Sequence, residues 1–226
     1  LRAKALASLA AQHRELDDVR NSAKLVALRD LLLQCGIGTD DDAAAISGSS
    51  SASSSASDLM EETTAATQHR VLVFAQYKAF LDIVERDLFQ RCMPSVTYMR
   101  LDGNVPPSQR AVIVDKFNSD PTVDVLLLTT QVGGLGLTLT GADVVIFLEH
   151  DWNPSKDLQA MDRAHRIGQT RVVNVYRVIT RGTIEEKIMG LQRFKTHLAN
   201  TVVTREKEGS LLTTLDVANM LDLLSY

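Results

Sequence analysis

What most limits the folds open to this chain is a set of short, unbroken apolar runs separated by segments of helical length. VLVFA at 71–75, VDVLLLT at 123–129 and DVVIFLE at 143–149 are continuous or nearly so. A strand wet on one face alternates apolar with polar residues, so an unbroken run reads as a strand covered on both faces. TYMRL at 97–101 is a further strand, and VVNVYRVI at 172–179 closes the series as a buried strand at the sheet edge. Between the runs, residues 78–90 and a segment from about Pro107 to Phe117 read as helices, with proline where a first turn tolerates it. Alternation of this kind predicts an α/β fold with a mainly parallel sheet, helices on both faces and right-handed crossovers. In such sheets the chemistry lies in loops at the carboxyl ends of the strands.

The flanking segments differ. Residues 1–38 read as an N-terminal helical segment leading into the α/β body. Leu25, Leu28 and Leu32 share one face, Ser22 is placed as an N-cap and Gly36 sits just past the end. Residues 39–68 hold three aspartates, Asp40 to Asp42, and a tract at 47–57 with eight serines in eleven residues. Such a stretch buries too little apolar surface to offset its chain entropy, so it is expected to be a disordered insertion. The α/β body covers 69–182. Residues 183–226 form a helical extension: Thr183 and Glu186 match a capping box, Ile184, Ile188, Leu191 and Leu198 line one face, and a short last helix is expected near 214–225.

The chain begins at Leu1 and reads as a fragment of something longer. No apolar run reaches the roughly 18 residues of a membrane span, and the start does not resemble a signal peptide. Cys35 and Cys92 have neither metal-ligand spacing nor a disulfide-rich context, which fits a reducing compartment. A net charge of −4 excludes reading nucleic-acid binding from bulk electrostatics, so any DNA contact is local.

Three loops fall where an α/β site belongs. TTQVGGLGLTLTGAD at 129–143 follows a strand, and Gly133, Gly134 and Gly136 permit close backbone approach or positive φ. The spacing fails a dinucleotide fingerprint, because Leu139 stands where the third glycine is required. A tight turn is the plain alternative. In QAMDRAHRIGQ at 159–169, Gln159, Arg163 and Arg166 are spaced to share one helix face, ended by Gly168. Arginine forks suit phosphate oxygens, and a solvated face paired to Asp157 or Asp162 is the alternative. Trp152 in HDWNP, the one tryptophan, either packs or stacks on nucleic acid. The chain has no GxxxxGK[ST] loop and no paired acids after a strand to hold a metal. Arginines without a phosphate loop describe half of a site, completed by another domain.

Together these segments resemble a known family. FAQYKAFLD at 74–82, RLDGNV at 100–105, LLTTQVGGLGLTLTGADVVIFLEHDWNP at 127–154 and QAMDRAHRIGQTRVVNVYRVI at 159–179 look like helicase motifs IV, IVa, V and VI. They stand in the order found in superfamily-two ATPases of the sucrose-nonfermenting chromatin-remodeller type. KLVALRDLLLQCGIG at 24–38 and IMGLQRFKTHLANTVV at 188–203 resemble the branch that removes TATA-binding protein; another nucleosome-remodelling ATPase is the alternative. The serine tract lies outside the family pattern.

The resemblance implies a RecA-like second lobe of a nuclear, DNA-dependent ATPase that moves on double-stranded DNA and is inactive without the N-terminal RecA-like lobe. That first lobe would hold most of the ATP and Mg²⁺. Arg163 and Arg166 match the motif VI arginines that reach the γ-phosphate. Gln159 matches the start of that motif, and Gly134 and Gly136 match motif V beside the nucleotide and the DNA backbone. Thr129 and Thr130 match positions touching a DNA strand, and Trp152 a position facing DNA. Gln131 departs from a position that is often basic. A nucleotide-cofactor enzyme of doubly wound type and an interaction module with a decayed ATP site are the competing classes.

Overall fold

In the structure, a computed structural model, residues 18–38, 69–134 and 136–208 are described, the last nine as backbone. The expected serine-rich insertion, the first seventeen residues of the N-terminal helical segment and the last helix near 214–225 lie outside the described residues. Five strands form one sheet: β1 Val71–Ala75, β2 Tyr98–Leu101, β3 Val125–Thr129, β4 Val144–Phe147 and β5 Asn174–Arg177. Their order is β2-β3-β1-β4-β5 and every pairing is parallel. The mainly parallel α/β sheet expected from the sequence is therefore present.

The unbroken apolar runs follow from a sheet covered on both faces. Val71, Val73 and Ala75 of β1 join one core with Val125, Leu127, Val144 and Ile146. Leu72 and Phe74 join the other with Leu126, Leu128, Val145 and Phe147. Because successive side chains point to opposite faces, a central strand must be apolar at every position. Helix α1, Ala23–Gln34, covers the first face with Leu25, Leu28 and Leu32, and Ser22 caps it by accepting the Leu25 N–H. Helix α2, Lys78–Ile83, runs on as a π-helical stretch over Val84–Phe89 and adds Leu81, Val84 and Leu88 to the same core. Helix α3, Pro107–Ser119, covers the second face through Val114 and Phe117.

Two expectations need correction. β5 is an edge strand but not a buried one: Val175 and Tyr176 are exposed, and Val172 just before it is 82% exposed. It pairs only with β4, and its run of residues looks no different from that of a covered strand. Helix α6, Ile184–Glu208, buries the face expected for it only in part: Leu191 and Leu198 are half-buried. Ile184 is exposed, and Ile188, Met189 and Gln192 are the buried positions. Its cap is also shifted, since Glu186 accepts the N–H of Gly182 and Thr183 that of Glu185.

Candidate functional site

β1 ends at Ala75, between β3 and β4, so the next residues of all three strands meet at one end of the sheet. There they border a cleft of about 610 Å³. Gln76 and Tyr77 line it after β1, and Thr130, Gln131 and Gly134 after β3. Asp151, Lys156 and Gln159 line the side that follows β4. The Gln76 and Tyr77 turn is fixed by Glu149, whose Oε2 accepts both backbone N–H groups at 2.9 and 3.0 Å.

The β3 side is a single helical turn, α4, Thr130–Gly133. Thr129 and Thr130 are both buried, and the Thr130 hydroxyl donates to the Ala75 carbonyl at 3.3 Å. Gln131 is exposed in the cleft wall. Gly133 is pressed against Phe74, while an added Cβ on Gly134 would meet nothing closer than 3.4 Å and would lie 4.0 Å from Gln159 Oε1. Gly136 holds φ +81°, the left-handed backbone for which glycine is suited.

The β4 side is helix α5, Pro154–Met161, capped by Asn153, whose side chain accepts the Ser155 N–H. Lys156 and Gln159 are three residues apart, so they stand on one face, which lines the cleft. Asp151 accepts the Asn153 N–H and pairs with Lys156 Nζ at 2.9 Å. Partial burial pushes the Asp151 carboxyl upward, but these donors outweigh it and hold its pKa below the ordinary value. Trp152 is 46% exposed, and its carbonyl accepts from Lys195.

The arginines are not placed as expected. α5 stops at Met161, so Arg163 and Arg166 lie on the turn that follows rather than on one helix face with Gln159. The turn is drawn out of the helix by the Arg163 carbonyl, which accepts the Leu139 N–H, and closes at Gly168 with φ +105°. Arg163 Nε donates to the Gln159 carbonyl at 3.0 Å. Arg166 is exposed, and its Nη1 donates to Thr138 Oγ1 at 2.7 Å and to the Gly136 carbonyl at 3.3 Å. Among the described residues neither arginine has an acidic partner: Asp157 is buried against Gln192, and no ion pair joins Asp162 to them.

Thr130, Gln131, Gly134 and Gln159 therefore share one cleft, although the resemblance divides them between DNA and nucleotide. Thr129 lies beneath it. Arg166 meets Gly136 away from the lining, while Arg163 is bonded to the backbone of cleft residue Gln159. Gln76, Tyr77 and Lys156 are cleft residues that sequence reasoning missed. The first two stand inside the FAQYK segment, and Lys156 could have been found as the residue one turn before Gln159. Among the described residues no three His, Cys, Asp or Glu side chains gather to hold a metal ion. No described helix is long and apolar enough to cross a membrane.

A family model described as "Helicase conserved C-terminal domain" matches residues 54–168. The chain is 57% identical over 217 residues to TATA-binding protein-associated factor 172 of Homo sapiens, covering 96% of this chain and 11% of that protein. It is 56% identical to TATA-binding protein-associated factor MOT1 of Saccharomyces cerevisiae, over 92% of this chain and 11% of that one. The chain thus spans about a tenth of the length of these curated relatives. Among solved structures it is similar to the C-terminal part of the Fun30 ATPase domain, with a TM-score of 0.52 and 40% identity, covering 55% of this chain and 40% of that one. The parallel sheet is RecA-like.

Proposed function

This chain belongs to the helicase conserved C-terminal domain family, and from that premise we propose that it is the second motor lobe of an ATP-dependent, double-stranded DNA translocase. Its likeness over nearly the whole chain to factors named for TATA-binding protein supports removal of that protein from DNA, in the nucleus, as the task of the complete motor. That coverage favours this branch over a nucleosome remodeller. The geometry that supports the reading best is the arginine turn, exposed and without acidic partners beside a cleft at the carboxyl end of the sheet.

In this reading Arg163 and Arg166 approach ATP held with Mg²⁺ on the first lobe. An arginine reaching across a closing cleft stabilises charge on the transferred phosphoryl group, worth on the order of 10³–10⁵ in rate. At 1.36 kcal/mol per decade that is roughly 4–7 kcal/mol, present only when the lobes close. The neighbouring cleft takes the DNA backbone: Lys156, which it must share with Asp151, supplies an ammonium donor, and Gln76, Gln131 and Gln159 supply neutral ones. Such a surface grips phosphate without reading sequence, and its affinity falls as salt rises. Gly134 and Gln159 then serve DNA as much as nucleotide, and Thr129 acts by shaping the turn from below. Opening and closing move this grip against that of the first lobe. The experiment is Trp152→Ala in the two-lobed protein. DNA-stimulated ATP hydrolysis should fall more than basal hydrolysis, whereas an equal loss of both contradicts a DNA-facing loop.

A further inference from the structure

Helix α6 is largely exposed from Arg193 to Ala199, yet Gln192 itself is 2% exposed. A buried amide is costly unless its donors and acceptor are used, and here they join three elements. Nε2 donates to Asp157 Oδ2 on α5 at 2.9 Å and also to the Asp151 carbonyl. Oε1 accepts from Arg177 Nη1 on β5 at 3.1 Å.

Asp157 is fully buried, and its Oδ1 has no hydrogen-bond partner. Among the described residues Gln192 gives this carboxylate its one hydrogen bond. His150 Nδ1, also without a partner, stands 3.8 Å away. The polar join between α5 and α6 therefore runs through one amide. One turn further on, Lys195 donates to the Trp152 carbonyl at 2.9 Å. Two side chains of α6 thus hold consecutive carbonyls of the loop bearing Trp152. Asp151 of that loop orients Lys156, and α5 leads directly into the Arg163–Arg166 turn.

We infer that Gln192 is a positioning residue: through it α6 fixes both the cleft face of α5 and the Trp152 loop in the arrangement that couples DNA to hydrolysis. This rests on the reading of the lobe as half of a DNA-dependent motor. A hydrogen bond fixes register where apolar contact only fills space, and small misplacements of working groups cost rate steeply.

The test compares Gln192→Glu, Asp157→Asn and the two together in the two-lobed protein. Gln192→Glu sets two carboxylates against each other. Toward α5 the double variant exchanges the two roles: the introduced amide donates to the introduced carboxylate on α6, which keeps the Arg177 contact as an ion pair, while the donor to the Asp151 carbonyl is not restored. The readouts are melting temperature, basal and DNA-stimulated ATP hydrolysis, and the DNA concentration giving half-maximal stimulation. Gln192→Glu should lower DNA-stimulated turnover by about tenfold or more and raise the half-maximal DNA concentration, with basal turnover less affected. The double variant should recover the part of the loss that runs through α5. If Gln192→Glu does not fold, the double variant should still fold and couple. Wild-type coupling in folded Gln192→Glu, equal loss of basal and stimulated rates, or no recovery in the double variant overturns the inference. A wild-type protein whose hydrolysis ignores DNA overturns the motor reading, and the inference with it.

Discussion

At Gly133 there is room for a hydrogen and nothing larger: a Cβ would stand 2.5 Å from Phe74 Cε1. That ring has nowhere to go, because it is fully buried and stacks on Phe147 with centroids 5.2 Å apart. Gly133→Ala should cost about 1–3 kcal/mol, the usual range for overpacking a filled core, measured by denaturant unfolding of the chain. Arg166 is the opposite kind of residue, exposed and anchored through one nitrogen. In the two-lobed protein Arg166→Lys should nearly abolish ATP hydrolysis and leave ATP affinity almost unchanged. Lysine keeps the charge but loses the fork that spans two phosphate oxygens. An interaction made only in the transition state appears in kcat rather than in ground-state binding. Stability should change by no more than about 0.5 kcal/mol, as expected of a surface position. Single-turnover kinetics alongside nucleotide titration separates these effects.

At the scale of elements, the strand starts are tied by Asp143, just ahead of β4. Its carboxylate accepts the Arg70 N–H at 3.0 Å, meets His69 Nδ1 at 2.7 Å and Arg171 Nη1 at 3.4 Å, and its carbonyl accepts the Asn174 N–H. Burial alone would raise its pKa, but these donors overcome that and hold it below the ordinary carboxylate value. A depressed carboxylate contributes stability above its unfolded pKa of about 4 and loses it as pH falls through the folded value. Asp143→Asn should therefore melt earlier than wild type at neutral pH, and the gap should begin to narrow below about pH 4 and close as pH falls through the folded value. Melting temperatures across that range check both parts.

The same elements mark what the sequence made legible. β1 was readable end to end because all five of its residues are apolar and buried. At β3 the reading ran two residues long: the strand starts at Val125, and Asp124 before it bonds Val71 and Thr97 through its backbone while its carboxylate holds the Thr97 N–H and hydroxyl before β2. The exposure of β5 could not be read, because edge position depends on the strand order. The arginine turn was misread as helix because residue spacing is blind to the Leu139–Arg163 bond that ends α5. Gln76 and Tyr77 resemble any polar turn until β1 is known to lie at the centre of the sheet.

At the scale of the molecule, the two helical flanks belong to one body with the sheet. Lys24 of α1 pairs with Glu185 of α6 and also donates to the Leu148 carbonyl just past β4. The loop at the mouth of the cleft is thus held from both ends of the described chain. Beside that loop the cleft sets Lys156 and three glutamines next to one carboxylate, Asp151. As half of a two-lobed motor, this lobe should complete an ATPase site that it cannot form alone. The most direct measurement is steady-state ATP hydrolysis, with and without double-stranded DNA, by this chain alone and by the chain joined to its N-terminal RecA-like lobe. No turnover is expected from the chain alone, DNA-stimulated turnover from the joined protein, and loss of that turnover in Arg163→Lys. Turnover by the pure chain, or full DNA-stimulated turnover by the joined Arg163→Lys protein, would contradict this expectation.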